Sequence, residues 1–187
     1  MKVAVIDFRS RFTDDIEMML EKLGIEYSTL RHDVGPEDLD GYDGFIFTGS
    51  LDTVYEGGKL PDERLLDMGK PILGICYGHQ VIHHMLGGEV RRSMTPEHIP
   101  VTIVTEPSRL FEGLPSSQKV SMHHDDEVTR MAEGFRCIAT GEHCRYAATE
   151  NEDRKIYTVQ FHPEDEGNEC GTEIFRNFAR IVNDEKD

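Results

Sequence analysis

The stretch from Lys70 to Gly88 constrains this chain more than any other. Pro71 to Ile75 is a short apolar run and predicts a buried strand. From Val81 to Leu86 the pattern turns helical, and Gly87-Gly88 stops it. Between them lies Gly74-Ile75-Cys76-Tyr77-Gly78, a G-x-C-x-G. It is the thiol version of the nucleophile elbow. A strand that turns at once into a helix crowds its corner, so small residues two before and two after are steric requirements. The corner cysteine is presented at a helix N-terminus, where unpaired N–H groups and the macrodipole favour a thiolate. The next N–H, that of Tyr77, is placed to donate to an oxyanion. Taken alone, the elbow leaves open a structural cysteine buried in a tight turn.

A length of 187 residues suits one α/β domain, here expected over 1–187. The net charge of −16 and the lack of a basic patch argue against nucleic-acid binding. No apolar run reaches membrane-spanning length, so no membrane association is expected. Cys76, Cys137, Cys144 and Cys170 form no C-x-x-C pair, and the chain opens on a strand and not on a signal peptide. These features predict a cytoplasmic, reduced protein in which Cys137 and Cys144 pack without a disulfide.

Before the elbow, apolar runs at Lys2–Asp7, Ile25–Leu30 and Asp43–Thr48 predict strands. Thr13 is a candidate N-cap for a helix carrying Ile16, Met19, Leu20 and Leu23 and closed by Gly24. Met18, Met19 and Met85 are expected as core fillers. Pro61 is expected at the start of a second helix reaching Met68. The order predicts a mainly parallel sheet flanked by helices, whose ligands collect at the C-terminal strand ends. After the elbow, short strands are expected over 89–94, 99–105, 119–122, 135–140, 145–149 and 155–161, with a loop at His123 to Asp126. This β-rich second half ends in a helix over 171–182 and a charged tail over 183–187.

Val159-Gln160-Phe161-His162-Pro163-Glu164 follows one of those strands. A strand end is where a general base is presented. His162 can take a thiol proton and return it to a leaving amine, while Glu164 accepts from the other imidazole nitrogen and fixes the tautomer.

Together, Gly74 to Gln80, Leu86-Gly87-Gly88 and Gln160 to Glu164 resemble the class I (triad) glutamine amidotransferases, with a flavodoxin-like fold. The resemblance runs through nearly the whole chain. Within that class, His124-Asp125-Asp126-Glu127-Val128 and the helix Gly171 to Phe178 resemble the glutaminase of GMP synthetase in its two-subunit form. The resemblance implies hydrolysis of glutamine through a Cys76 thioester, with an oxyanion on the N–H groups of Tyr77 and Gly49. Gln80 and the backbone near His123 and His124 would hold the amino-acid end. Ammonia would pass to a separate ATP-pyrophosphatase (synthetase) subunit that converts XMP to GMP. That partner would use ATP and magnesium, and this chain would need no cofactor.

The chain departs from the family pattern at three places. The loop after the third strand, usually S-G-G-P, reads Thr48-Gly49-Ser50-Leu51. A misaimed oxyanion donor there would cost roughly 10²–10³ in rate. The loop after the first strand reads Asp7-Phe8-Arg9-Ser10-Arg11-Phe12, and Asp165 stands where an apolar residue is usual. These changes fit a glutaminase that is quiet until a partner completes the loop. Two alternatives stay open: a class I glutaminase serving another acceptor, and an inert amidotransferase-like regulatory protein. His79 and His83 share a helix face at zinc-like spacing, but no carboxylate motif accompanies them, and no metal site is expected.

Overall fold

The computed structural model describes residues 1–185; of the charged tail, Lys186 and Asp187 lie outside the described residues. The first half supplies β1 (Lys2–Asp7), α1 (Thr13–Lys22), β2 (Glu26–Arg31), β3 (Gly44–Phe47), β4 (Ile72–Ile75) and α2 (Tyr77–Met85). The second supplies β5 (Glu89–Glu97), β6 (Pro100–Thr105), β7 (Ser117–Ser121), β8 (His124–Arg130), β9 (Arg136–Gly141), β10 (Ala148–Asn151), β11 (Ile156–Val159) and α3 (Gly171–Asp184).

One nine-stranded sheet runs β2-β1-β3-β4-β11-β10-β9-β6-β7, and β5 and β8 form a separate antiparallel pair. The strands from β2 to β11 are mutually parallel, and those beyond β11 pair antiparallel. The expected fold, a mainly parallel sheet flanked by helices with a β-rich second half, is the observed one. Alternation along β1 explains the layering. Val3 and Val5 enter one core with Ile16 and Leu20 of α1 and Phe175 and Phe178 of α3, while Ala4 and Ile6 enter the other with Val81 and Ile82 of α2. Among the described residues no helix is long and apolar enough to cross a membrane.

Four local expectations need correction. Thr13 is not the N-cap of α1 but its first residue; its hydroxyl donates to Asp7 Oδ1 at 2.8 Å, and Phe12 occupies the cap. The segment after Pro61 is a 3₁₀ helix, Glu63–Asp67, capped by the Asp62 carboxylate and not an α-helix. Met18 is 58% exposed and fills no core, whereas Met19 and Met85 do pack against the two cores. His124 to Asp126 is not loop but the start of β8, where two like-charged residues on a two-stranded ribbon hide the strand signal.

Candidate active site

Parallel pairing sets the site. β4 and β11 are neighbours with Ile75 beside Val159, so the residues following both emerge at one edge. Cys76 comes directly after β4, with its N–H donating to Val159 O at 2.8 Å. Three residues past β11 comes His162, its N–H donating to Ser121 O at 3.0 Å. Sulfur and imidazole, 86 residues apart in sequence, are thus brought to the wall of one pocket.

The corner is strained. Cys76 has φ +52° and ψ −102°, a region a residue with a Cβ seldom occupies. The flanking glycines make it possible. A Cβ on Gly74 would lie 2.9 Å from Gly78 O, and one on Gly78 would lie 2.4 Å from Phe47 O. Tyr77 opens α2, so its N–H has no acceptor within the helix. Gly49 completes the corner: a Cβ there would sit 3.1 Å from His162 Cε1 and 3.6 Å from Cys76 Cβ.

His162 Nδ1 meets Glu164 Oε1 at 2.7 Å, and both side chains are buried. Burial alone would lower the His162 pKa. The Glu164 carboxylate, the neighbouring Cys76 and the hydrogen bonds to both outweigh it and push the pKa up to about 10. The imidazole is therefore protonated at neutral pH. Such a cation beside a thiol can stabilise a thiolate and then protonate a leaving amine.

The other expected substrate contacts line one cleft, with Ser50, Cys76, Gln80, His123, His124 and Asp126 on its walls. Their side chains are largely committed to the protein. Gln80 Nε2 donates to Asp126 O at 2.8 Å and to Gln160 Oε1 at 3.1 Å. His123 Nε2 faces Asp165 Oδ2 at 3.0 Å, and His124 is buried against Glu97. The rings of His79 and His83, which share a helix face, contact Thr158 and Thr149 at 2.7 and 2.8 Å, and His83 Nδ1 also accepts from the Ala132 N–H at 3.0 Å.

Sequence reasoning missed three contributors. Gln160 Nε2 reaches Cys76 Sγ at 3.6 Å, linking the nucleophile to Gln80. Its place in the Gln160 to Glu164 motif was the available signal. Phe12 lies against the His162 ring, centroids 4.6 Å apart, and nothing local marks it. Tyr55 Oη donates to Asp126 Oδ1 at 2.7 Å and closes the loop after β3 over the cleft.

A family model described as glutamine amidotransferase class-I matches residues 4–182. The chain is 40% identical over 184 residues to a glutamine-hydrolysing GMP synthase of Staphylococcus epidermidis and 42% identical over 183 residues to that of Listeria innocua. These alignments take in 96% and 95% of this chain but 36% and 35% of those proteins, so the chain spans about a third of the length of these curated relatives. Among solved structures, a protein from Thermoplasma acidophilum, provisionally described as one subunit of a GMP synthase, superimposes with a TM-score of 0.88. It is 29% identical, with 100% of this chain and 96% of that one covered.

Proposed function

The chain belongs to the class I glutamine amidotransferases, and from that premise we propose that it is the glutamine-hydrolysing component of a GMP synthase. In this reading the Cys76 thiol proton has passed to His162, and the resulting Cys76 thiolate attacks the side-chain amide of glutamine. The N–H groups of Tyr77 and Gly49 take the oxyanion. His162, already protonated at neutral pH, gives its proton to the departing ammonia, leaving a thioester on Cys76. The neutral imidazole then removes a proton from water, which cleaves the thioester to glutamate. Glu164 holds the imidazole throughout.

The observation that carries this reading is the His162 ring, in contact with Cys76 on one side and Glu164 on the other. The likeness to GMP synthases supports XMP as the final acceptor of the ammonia. A separate ATP-pyrophosphatase subunit would adenylylate XMP with ATP and magnesium, and this chain would act as one domain without a cofactor of its own.

The test is ammonia release from glutamine with and without the candidate synthetase, XMP and ATP. GMP formed from glutamine only when both chains are present supports the assignment. Glutaminase activity that no synthetase couples to XMP would move the chain to another acceptor. No labelling of Cys76 by 6-diazo-5-oxonorleucine under any condition would make it an inert scaffold.

A further inference from the structure

Outside the Cys76–His162 pair, the end of β5, the start of β8 and the turn between β9 and β10 bring three ligating side chains together. Glu97, His124 and Cys144 are 4%, 3% and 2% exposed, and one ligand atom of each lies within 4.8 Å of the other two. His124 Nδ1 is 2.9 Å from Asp126 O, which can only accept, so Nδ1 carries a proton. Nε2 then faces Glu97 Oε2 at 3.2 Å. The pair thus sets one nitrogen and one oxygen donor atom facing each other in a buried corner.

Cys144 makes the third wall. Sulfur, nitrogen and oxygen donors together suit a borderline-soft divalent ion, and an imidazole pinned through its far nitrogen is the usual outer-shell arrangement. Ligand atoms around a tetrahedral zinc lie roughly 3.3–3.6 Å apart, given bonds of about 2.0–2.3 Å. Glu97 and His124 are already near that spacing, and the sulfur has no more than about 1.5 Å to close.

We propose that Glu97, His124 and Cys144 form a zinc-type metal site. Binding makes one bond each to oxygen, nitrogen and sulfur, with water in the fourth position. It releases the Cys144 S–H proton, and any proton held on His124 Nε2, to solvent; nothing is oxidised or reduced. The ion would tie the β5–β8 pair to the large sheet. It would also fix the backbone next to His123, whose carbonyl accepts from Cys76 Sγ at 3.7 Å.

Cys76 and His162 could themselves take a metal, so the test uses the Cys76→Ala full-length chain, stripped with chelator and titrated with Co²⁺. We expect a thiolate-to-cobalt charge-transfer band that saturates at one equivalent and disappears when Zn²⁺ displaces the cobalt. Adding Cys144→Ser should abolish the band. Glu97→Gln, which keeps shape and removes charge, should weaken Co²⁺ binding roughly 10–100-fold with an unchanged far-ultraviolet dichroism spectrum. Absence of the band in Cys76→Ala overturns the proposal, as does a band that survives Cys144→Ser. Should Cys144→Ser fail to fold, an unchanged Co²⁺ affinity in Glu97→Gln overturns it equally.

Discussion

The strand ends after β4 and β11 and the loop after β3 face one cleft, yet they are held in different ways. Cys76, His162 and Glu164 are 5%, 3% and 4% exposed, pinned by sheet register and by backbone bonds to Val159 and Ser121. The loop exposes Leu51 at 86% and is tied mainly at its far part. There Lys59 pairs with Asp52, Tyr77 Oη donates to Lys59 O at 2.8 Å, and Tyr55 Oη donates to Asp126. The contrast separates two tasks. On the proposed function, proton transfer needs fixed distances and would be built on the sheet, whereas the wall that admits substrate would be left to a loop.

The largest expected effect tests the rigid side. Cys76→Ala should lower glutamine hydrolysis at least roughly 10³-fold while leaving the fold intact, since alanine meets the same φ strain. Retention of activity within about tenfold would remove the premise of the comparison. Glu164→Gln should follow, with a loss of roughly 10²–10³. Its signature is in pH. The His162 pKa is raised from 6.5 to about 10, so the alkaline limb of activity is expected near 10 and should move down when Glu164 loses its charge. Stability follows the same sign. The protonated ring favours the fold fully below about 6.5, and that contribution fades as pH rises toward 10. The stability gap between wild type and Glu164→Gln should therefore narrow over that window, as read by chemical denaturation at several pH values.

The loop side is tested by restoring the family pattern. Ser50→Gly with Leu51→Pro should raise partner-free glutaminase activity about tenfold if the loop leaves the Gly49 N–H poorly aimed. An unchanged rate that the synthetase still stimulates would place the limiting element elsewhere.

How much of this could be read from the sequence follows the same division. Strands buried on both faces, such as β1, β3 and β4, announce themselves as apolar runs, and the elbow glycines mark Cys76 before any coordinates. Residues working through local geometry, as Glu164 does on His162 two positions away, were also legible. What was not legible depends on long-range contact. Phe12 against His162, Tyr55 on Asp126 and Cys144 beside Glu97 are set by tertiary packing with no local pattern. β8 stayed hidden because His124, Asp125, Asp126 and Glu127 carry little β propensity, and pairing with β5 overrides that. Thr13 was misplaced for a similar reason: Asp7, six residues back, offered its hydroxyl a better partner than the helix end.

The smallest predicted effect cuts the loop from the sheet by one atom. Tyr55→Phe removes the 2.7 Å bond to Asp126 and little else, because the ring is 42% exposed. A bond in that setting contributes about 1 kcal/mol, enough to shift the closed population of the loop roughly fivefold. If closure gates substrate and the strand ends do the chemistry, KM for glutamine should rise a few-fold with kcat unchanged. Global Tm should not move, since no core contact is lost. The effect should also be independent of pH across the working range. Burial and the Asp126 bond push the Tyr55 phenol up to about 12, so the proton being donated never leaves. A fall in kcat with KM constant would instead mean that the loop is coupled to the thiol through Asp126, Gln80 and Gln160, and the separation of tasks would fail along that chain of hydrogen bonds.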